Sequence, residues 1–325
     1  MTLDPGLALA FQRDGFILVK SVFSQQEVST LISAIAVGAE KERVAGRIVR
    51  PHTGEIAPLK DLVSIDGLGD LIFDERVVRL ARLLLGVAKP VYFGDSGIMV
   101  GGALRGFHKD NSNRDDKAHR DWQSPYNLIR FGIYLQDHAR FSGGLRLRIG
   151  SHLHADVSSG RSYAVPSEPG DLVIWNLRTT HSGHAVRFRG LPELPLQPRV
   201  EFRLPRALVL PEPSTRTSAF LTYGAHGVHL ETYLEKHLNQ ETYKDNYLYK
   251  RWLHNCFSEE IEARAVSAGV EFLRPLEQYG SLSADSVVYP DGFVPTGKSV
   301  PDVYPAVGVE RVIQAAGKIF RAVVS

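Results

Sequence analysis

Three side chains of this sequence could hold one metal ion. His108 and Asp110 lie two apart in GFHKDN, residues 106–111. In an extended chain, side chains i and i+2 point to the same face. One imidazole and one carboxylate can therefore reach a common point. His181 stands in GDLVIWNLRTTHSGH, residues 170–184, after a Gly-Asp turn and an apolar run that reads as a buried strand ending at or just before it. From a facing strand it would complete a set of two histidines and one carboxylate. Such a set leaves one side of the metal open, as mononuclear non-haem iron(II) oxygenases require. A second H-x-D, His119-Arg120-Asp121, competes for the pair. Its surroundings, SNRDDKAHRDWQS, read as a solvated loop. His184 competes with His181, or lies at the rim of the site.

The elements that must position these residues are β-rich. Between about Pro90 and Tyr223 the runs VYFGDSGIMV, LIRFGIYLQDH, GGLRLRIGSH, GDLVIWNL and SAFLTYG alternate with Gly, Pro, Asn and Asp. Their number and spacing predict a β-sandwich or barrel. No strand–helix–strand alternation is visible, which argues against a parallel α/β sheet. Before this region the chain reads as helices with one short strand, Phe16–Val19. Ser24 and Glu27 form a capping-box pattern ahead of Val28, Leu31, Ile32 and Ile35 at helical spacing. A second amphipathic stretch runs over Glu75–Leu85. After Gly227 come polar, Tyr-rich helices, then an irregular tail with a closing helix over Val309–Phe320. The organisation expected is one domain over 1–325: a helical part (1–89), a β core (90–226) and a helical, irregular extension (227–325).

The order of H-x-D, a Gly-rich turn and Gly-Asp-strand-His resembles the phytanoyl-CoA dioxygenase-like family. The resemblance rests on DGFILVKSVFSQQEV, GFHKD, GIYLQDHARFSGGLRLRIGSH and GDLVIWNLRTTHSG. It implies an α+β chain with a double-stranded β-helix (jelly-roll) core. It also implies Fe(II), 2-oxoglutarate as cosubstrate, O₂, and hydroxylation of an unactivated C–H of a sugar, lipid or secondary metabolite, releasing succinate and CO₂. It places the metal on His108, Asp110 and His181. A charged insertion, residues 111–125, departs from the family pattern and keeps His119 and Asp121 open as alternatives. Halogenating relatives lack a carboxylate where this chain has Asp110, so the resemblance points to hydroxylation or an allied oxidation, desaturation or ring closure.

The far carboxylate of 2-oxoglutarate needs a cation, and the planar fork of arginine meets a carboxylate bidentately. The family resemblance places this arginine at the start of a strand after the distal histidine. Arg216 opens TRTSAFLTYG with Ser218 on the same face. Arg187 and Arg189 in VRFRG lie nearer His181 and compete. Arg130, Tyr134 and Gln136 alternate along LIRFGIYLQD, and Tyr134 is a candidate cosubstrate contact. Thr180, or Thr179 beside it, is another. Asn111 and Trp122 of the insertion, with Arg130, are candidate substrate contacts.

Composition narrows the alternatives. The 325 residues carry 38 basic and 36 acidic side chains, a formal net charge of +2. That balance gives no electrostatic case for nucleic acid or an anionic membrane. Cys256 is the one cysteine, so an internal disulfide and a cysteine-based zinc site are excluded. No apolar run approaches a membrane span and the start does not read as a secretory signal, so the expected location is cytoplasmic. The expected partner is a small molecule. A zinc hydrolase is disfavoured because no H-E-x-x-H is present. A non-catalytic jelly-roll protein that binds a sugar or lipid stays open as an alternative.

Overall fold

Alternation of side chains across three strands divides the molecule into layers. The computed structural model describes residues 6–46, 48, 54–56, 60–101, 106–113, 116–192, 194, 204–238, 247–254 and 258–279. The strands are β1 (Phe16–Val19), β2 (Gly54–Ile56), β3 (Val91–Tyr92), β4 (Ser96–Gly101), β5 (Leu128–Tyr134) and β6 (Gly144–Ile149). They continue with β7 (Arg161–Ala164), β8 (Leu172–Asn176), β9 (His181–Ala185), β10 (Thr217–Gly224) and β11 (Glu271–Phe272). On β5, β8 and β10, one set of alternating residues faces a layer of helices: Ile129, Phe131, Ile133, Leu172, Ile174, Ala219, Leu221 and Tyr223. That layer contains α1 (Gly6–Asp14), α2 (Gln25–Val44), α3 (Asp70–Phe73) and α4 (Glu75–Leu85). Val28, Leu31 and Ile35 of α2 join the same core as Val77, Val78 and Leu80 of α4. The opposite face of the strands carries Tyr134, Val173 and Trp175, which pack with Leu145 and Leu147 of β6.

The larger sheet runs β1-β8-β5-β10, and β10 then pairs with both β3 and β4. The smaller sheet runs β7-β6-β9. An extended segment at His108 adds to it through a bridge to His181. In chain order the core runs are β4, the His108 segment, β5, β6, β7, β8, β9 and β10. The larger sheet takes the first, third, sixth and eighth of these; the smaller takes the rest. This interleaving is the jelly-roll order, and the expected fold class is present. The two sheets lie face to face and do not close into a barrel.

The capping box expected at Ser24 is formed, with the Ser24 side chain on the Glu27 N–H and the Glu27 carboxylate on the Ser24 N–H. Glu27 also takes a 2.6 Å bond from Arg76 on α4. That guanidinium, followed by the Ser24 bonds, holds the Glu27 carboxyl down at about 2. The Tyr-rich stretch after Gly227 forms α5 (Val228–Leu238) and α6 (Tyr247–His254). Leu230, Tyr233, Leu234, Leu248, Tyr249 and Trp252 close over Val91, Phe93 and Leu128 at one end of the larger sheet. The closing helix expected over Val309–Phe320 lies outside the described residues. Among the described residues, no helix is long and apolar enough to cross a membrane.

Candidate metal centre

Two extended segments meet where the sheets face each other. The His108 N–H donates to the His181 carbonyl at 3.0 Å, and the His181 N–H returns a 2.9 Å bond to the His108 carbonyl. Two residues on, the Asp110 N–H donates to the Leu177 carbonyl at 2.9 Å. H-x-D is thus extended but joins the sheet only through a single bridge. His181 was expected at the end of the apolar strand or just past it, and it lies past it. The apolar strand β8 stops at Asn176, whose carbonyl accepts from the Thr179 N–H at 2.8 Å and whose Oδ1 accepts from the Arg178 N–H at 2.9 Å. This turn moves the chain to the smaller sheet, and His181 opens β9.

His108, Asp110 and His181 converge. Their potential ligand atoms all lie within 4.8 Å of one another. His108 Nε2 is 3.7 Å from Asp110 Oδ1, and His181 Nε2 is 3.4 Å from Asp110 Oδ2. The two rings are 4.3 Å apart between centroids. Each imidazole is oriented from behind: Nδ1 of His108 donates to the Gly106 carbonyl at 2.8 Å, and Nδ1 of His181 to the Thr179 carbonyl at 3.0 Å. A backbone carbonyl accepts only, so it fixes the proton on Nδ1 and turns the Nε2 lone pair towards the centre. Asp110 Oδ2 accepts a 2.8 Å bond from Arg130. Two imidazoles and a carboxylate on one side of a point suit a divalent first-row metal with open positions, and the donor set fits iron(II).

The residue between the two ligands of H-x-D faces the other way. Lys109 is buried and donates to the Ser151 and Arg178 carbonyls at 2.8 and 2.7 Å. Burial holds its ammonium down at about 7. Trp122, from the insertion, covers Lys109 and Arg178, and its Nε1 donates to the Asn113 carbonyl at 2.9 Å. Asn111 is buried, with its amide on Asp121 and on the Asn113 carbonyl, both at 2.5 Å. Asp121 also accepts from the Asn113 N–H at 3.0 Å. His119 caps the turn that follows by accepting from the Asp121 N–H at 3.1 Å. The insertion thus folds back on the H-x-D segment, and its own H-x-D holds that loop together. His119 and Asp121 do not converge on the other three residues. His184 is not in the group either, since its Nε2 lies 3.0 Å from Glu212.

Arg216 immediately precedes β10 of the larger sheet, opposite β9 with His181. Its Nε donates to the Gly143 carbonyl at 2.6 Å, Nη2 to the Gly183 carbonyl at 3.1 Å and Nη1 to Ser218 Oγ at 3.3 Å. Gly183 is two residues along β9 from His181, roughly 7 Å of extended chain. The guanidinium lies over the Tyr134 ring, 5.5 Å from its centroid. Among the described residues no carboxylate is ion-paired with it. Burial pushes its pKa down, against weaker support from Tyr134 and Glu212. A buried fork held by neutral acceptors fits an incoming carboxylate, the feature 2-oxoglutarate requires. Arg187 is occupied elsewhere: it donates to the His138 and Ala139 carbonyls at 2.6 and 2.7 Å, fixing the β5–β6 loop. Arg189 reaches the Val209 carbonyl at 3.4 Å. The Thr180 hydroxyl is buried with no hydrogen-bond partner among the described residues, while its N–H donates to Ser151 Oγ at 2.8 Å. Gln136 accepts from the Thr217 N–H at 2.6 Å, pinning β10 beside Arg216.

Residues with no local signal also belong to this site. Trp175, in the apolar run LVIWNL, places its ring 5.5 Å from that of His181. Asp95, in a turn-like GDSG, accepts from Arg130 at 2.8 Å, so Arg130 spans two carboxylates. Thr222 Oγ1 accepts from Arg130 Nε at 3.0 Å. His138 packs edge-on to Tyr134 at 5.7 Å.

No curated protein sequence matches the chain. Solved structures do. The non-heme alpha ketoglutarate dependent carbocyclase SnoK from nogalamycin biosynthesis is 19% identical, with 69% of this chain and 84% of that one covered and a TM-score of 0.49. EctD from S. alaskensis, solved with 2-oxoglutarate and 5-hydroxyectoine, is 20% identical over 69% and 76%, with a TM-score of 0.47. AviO1 from Streptomyces viridochromogenes Tue57 is 18% identical over 70% and 98%, with a TM-score of 0.44. The sequence model of the phytanoyl-CoA dioxygenase (PhyH) family matches residues 11–188, more than half of the chain and a stretch that contains His108, Asp110 and His181. The chain belongs to the phytanoyl-CoA dioxygenase family.

Proposed function

We propose that the protein is an Fe(II)- and 2-oxoglutarate-dependent oxygenase that hydroxylates an unactivated C–H bond of a small molecule. The observation that carries this reading is the convergence of His108 Nε2, Asp110 and His181 Nε2, with both Nδ1 atoms already committed to backbone carbonyls. Family membership supports the same chemistry. Iron(II), when bound, supplies the oxygen-activating step that couples decarboxylation of 2-oxoglutarate to oxidation of the substrate.

The chain's own residues ligate, orient and exclude water. His108, Asp110 and His181 would hold the metal. Arg216, with Ser218 beside it, receives the distal carboxylate of 2-oxoglutarate. Tyr134, below the guanidinium, gives that carboxylate a wall. Trp175 and Phe220, packed edge-on at 6.3 Å, keep the floor between the sheets apolar. A low-dielectric floor strengthens the Arg216–carboxylate attraction.

The test is succinate formation from 2-oxoglutarate, with and without iron, over a panel of sugars, lipids and secondary metabolites. Turnover is expected only with iron, faster with one class of substrate, and lost in Asp110→Ala. Equal turnover in Asp110→Ala, or none under any condition, contradicts the proposal.

A further inference from the structure

Asp110 is the near end of a chain of charges that crosses the larger sheet. Its Oδ2 accepts from Arg130 Nη1 at 2.8 Å. Arg130 Nη2 donates to Asp95 Oδ2 at 2.8 Å, and Nε to Thr222 Oγ1 at 3.0 Å. The Asp95 backbone is tied to the same place, its carbonyl accepting from the Thr222 N–H at 2.9 Å. Asp95 Oδ2 also accepts from the Tyr233 hydroxyl at 3.1 Å, and Arg251 Nη1 lies 4.0 Å from Oδ1. Signs alternate along the line Asp110, Arg130, Asp95, Arg251. All four side chains are largely buried, between 12% and 19% exposed. The flanking cations Arg130 and Arg251 hold the Asp95 carboxyl below its usual range despite burial.

The far end of this chain belongs to the C-terminal helices. Tyr233 is on α5 and Arg251 on α6. Both helices are locked to the sheet beside Asp95: Trp252 Nε1 donates to the Phe93 carbonyl at 2.7 Å, and the Phe93 and Tyr233 rings meet at 5.8 Å. Helix α5 also touches the chain just past Asp110. Lys236 Nζ donates to the Asn111 carbonyl at 3.3 Å, and Glu235 pairs with Arg120 of the insertion.

Buried ion pairs contribute little net stability compared with apolar residues of the same volume. What a fully partnered chain of them provides is a fixed geometry. We infer that α5 and α6 set the orientation of the Asp110 carboxylate, acting through Asp95 and Arg130. Tyr233 and Arg251 are positioning residues of the metal centre, although neither touches it. The inference rests on the reading of Asp110 as a metal ligand. It gives the helical extension a role in the centre itself: what moves α5 or α6 also moves Asp110.

The test uses Co(II), whose visible spectrum reports ligand geometry, on the full-length chain. Tyr233→Phe removes one hydroxyl and keeps the ring in its apolar cluster. It is expected to weaken Co(II) binding about three- to tenfold and to shift the spectrum, less than the roughly 10–100-fold typical of groups bonded directly to a ligand. In an Arg130→Gln background the same change is expected to add nothing, because the link is already cut. Arg130→Lys, which keeps the charge and loses the fork, serves as the background where Arg130→Gln does not fold. A Tyr233→Phe protein with wild-type affinity and spectrum overturns the inference. So does a Tyr233→Phe effect that persists in full without Arg130. Asp110→Ala separates this failure from a wider one: if Co(II) binding survives the loss of Asp110, the metal centre itself is misassigned.

Discussion

The two ends of the site between the sheets are built differently. At the metal end every candidate ligand is held from behind: His108 by Gly106, His181 by Thr179 and Asp110 by Arg130. At the anchor end a single buried guanidinium, Arg216, rests on two carbonyls and a hydroxyl and has no anion of its own among the described residues. The first arrangement fixes geometry before anything binds. The second keeps a desolvated cation in place, so that an arriving carboxylate would form a charge-assisted pair at little reorganisation cost. The contrast implies that the two ends can be damaged separately.

Arg216→Gln gives the largest separation. It is expected to raise the 2-oxoglutarate concentration for half-maximal turnover by about a hundredfold, the scale of a lost charge-assisted pair. Iron affinity should stay within about twofold, since Arg216 contacts none of the three ligands. Arg216→Lys should recover little, because a point charge does not reproduce the fork. If Arg187→Ala raises the 2-oxoglutarate requirement and Arg216→Gln does not, the anchor is misplaced.

Gly144→Ala probes the anchor end through packing. A Cβ at Gly144 would sit 2.8 Å from the Cβ and Cγ of His138. The expected cost is about 1–3 kcal/mol in denaturant unfolding. Weaker 2-oxoglutarate binding should accompany it, through the neighbouring Gly143 carbonyl on Arg216. A stable variant with unchanged 2-oxoglutarate dependence would show that this loop is not under constraint.

The last effect is a pH slope, confined to acid conditions. Burial, then the Arg216 charge, pushes His138 down to about 4. The unfolded chain takes up a proton near 6.5 while the folded one does not. The His138 contribution is therefore complete above that pH and lost as pH falls towards 4, up to about 3 kcal/mol in all. His138→Gln should flatten stability against pH across that window. An unchanged slope would mean that His138 protonates freely in the folded state.

Much of the fold was legible because its signals are local. The Ser24–Glu27 capping box, the Phe16–Val19 strand and the Glu75–Leu85 helix depend on spacing within one element, and each formed where the spacing placed it. His108 and Asp110 share a face for the same reason. The register between sheets was not legible. His181 reads as the end of an apolar strand or a residue just past it, and nothing in that pattern shows that the turn at Asn176 carries it to the opposite sheet. The second H-x-D copy reads as solvated loop, yet Asp121 is buried, and only the bonds from Asn111 and Asn113 show what it does. Asp95 was invisible because its partners, Arg130, Tyr233 and Arg251, come from distant parts of the chain.

On the function proposed, His108, Asp110 and His181 together bind iron. The most direct measurement is an anaerobic equilibrium titration with Fe(II) of the wild-type chain and of His181→Ala, each checked for folding by its thermal transition. The expected result is one tightly bound iron per wild-type chain and none in a folded His181→Ala. Equal iron binding by the two proteins would contradict the account.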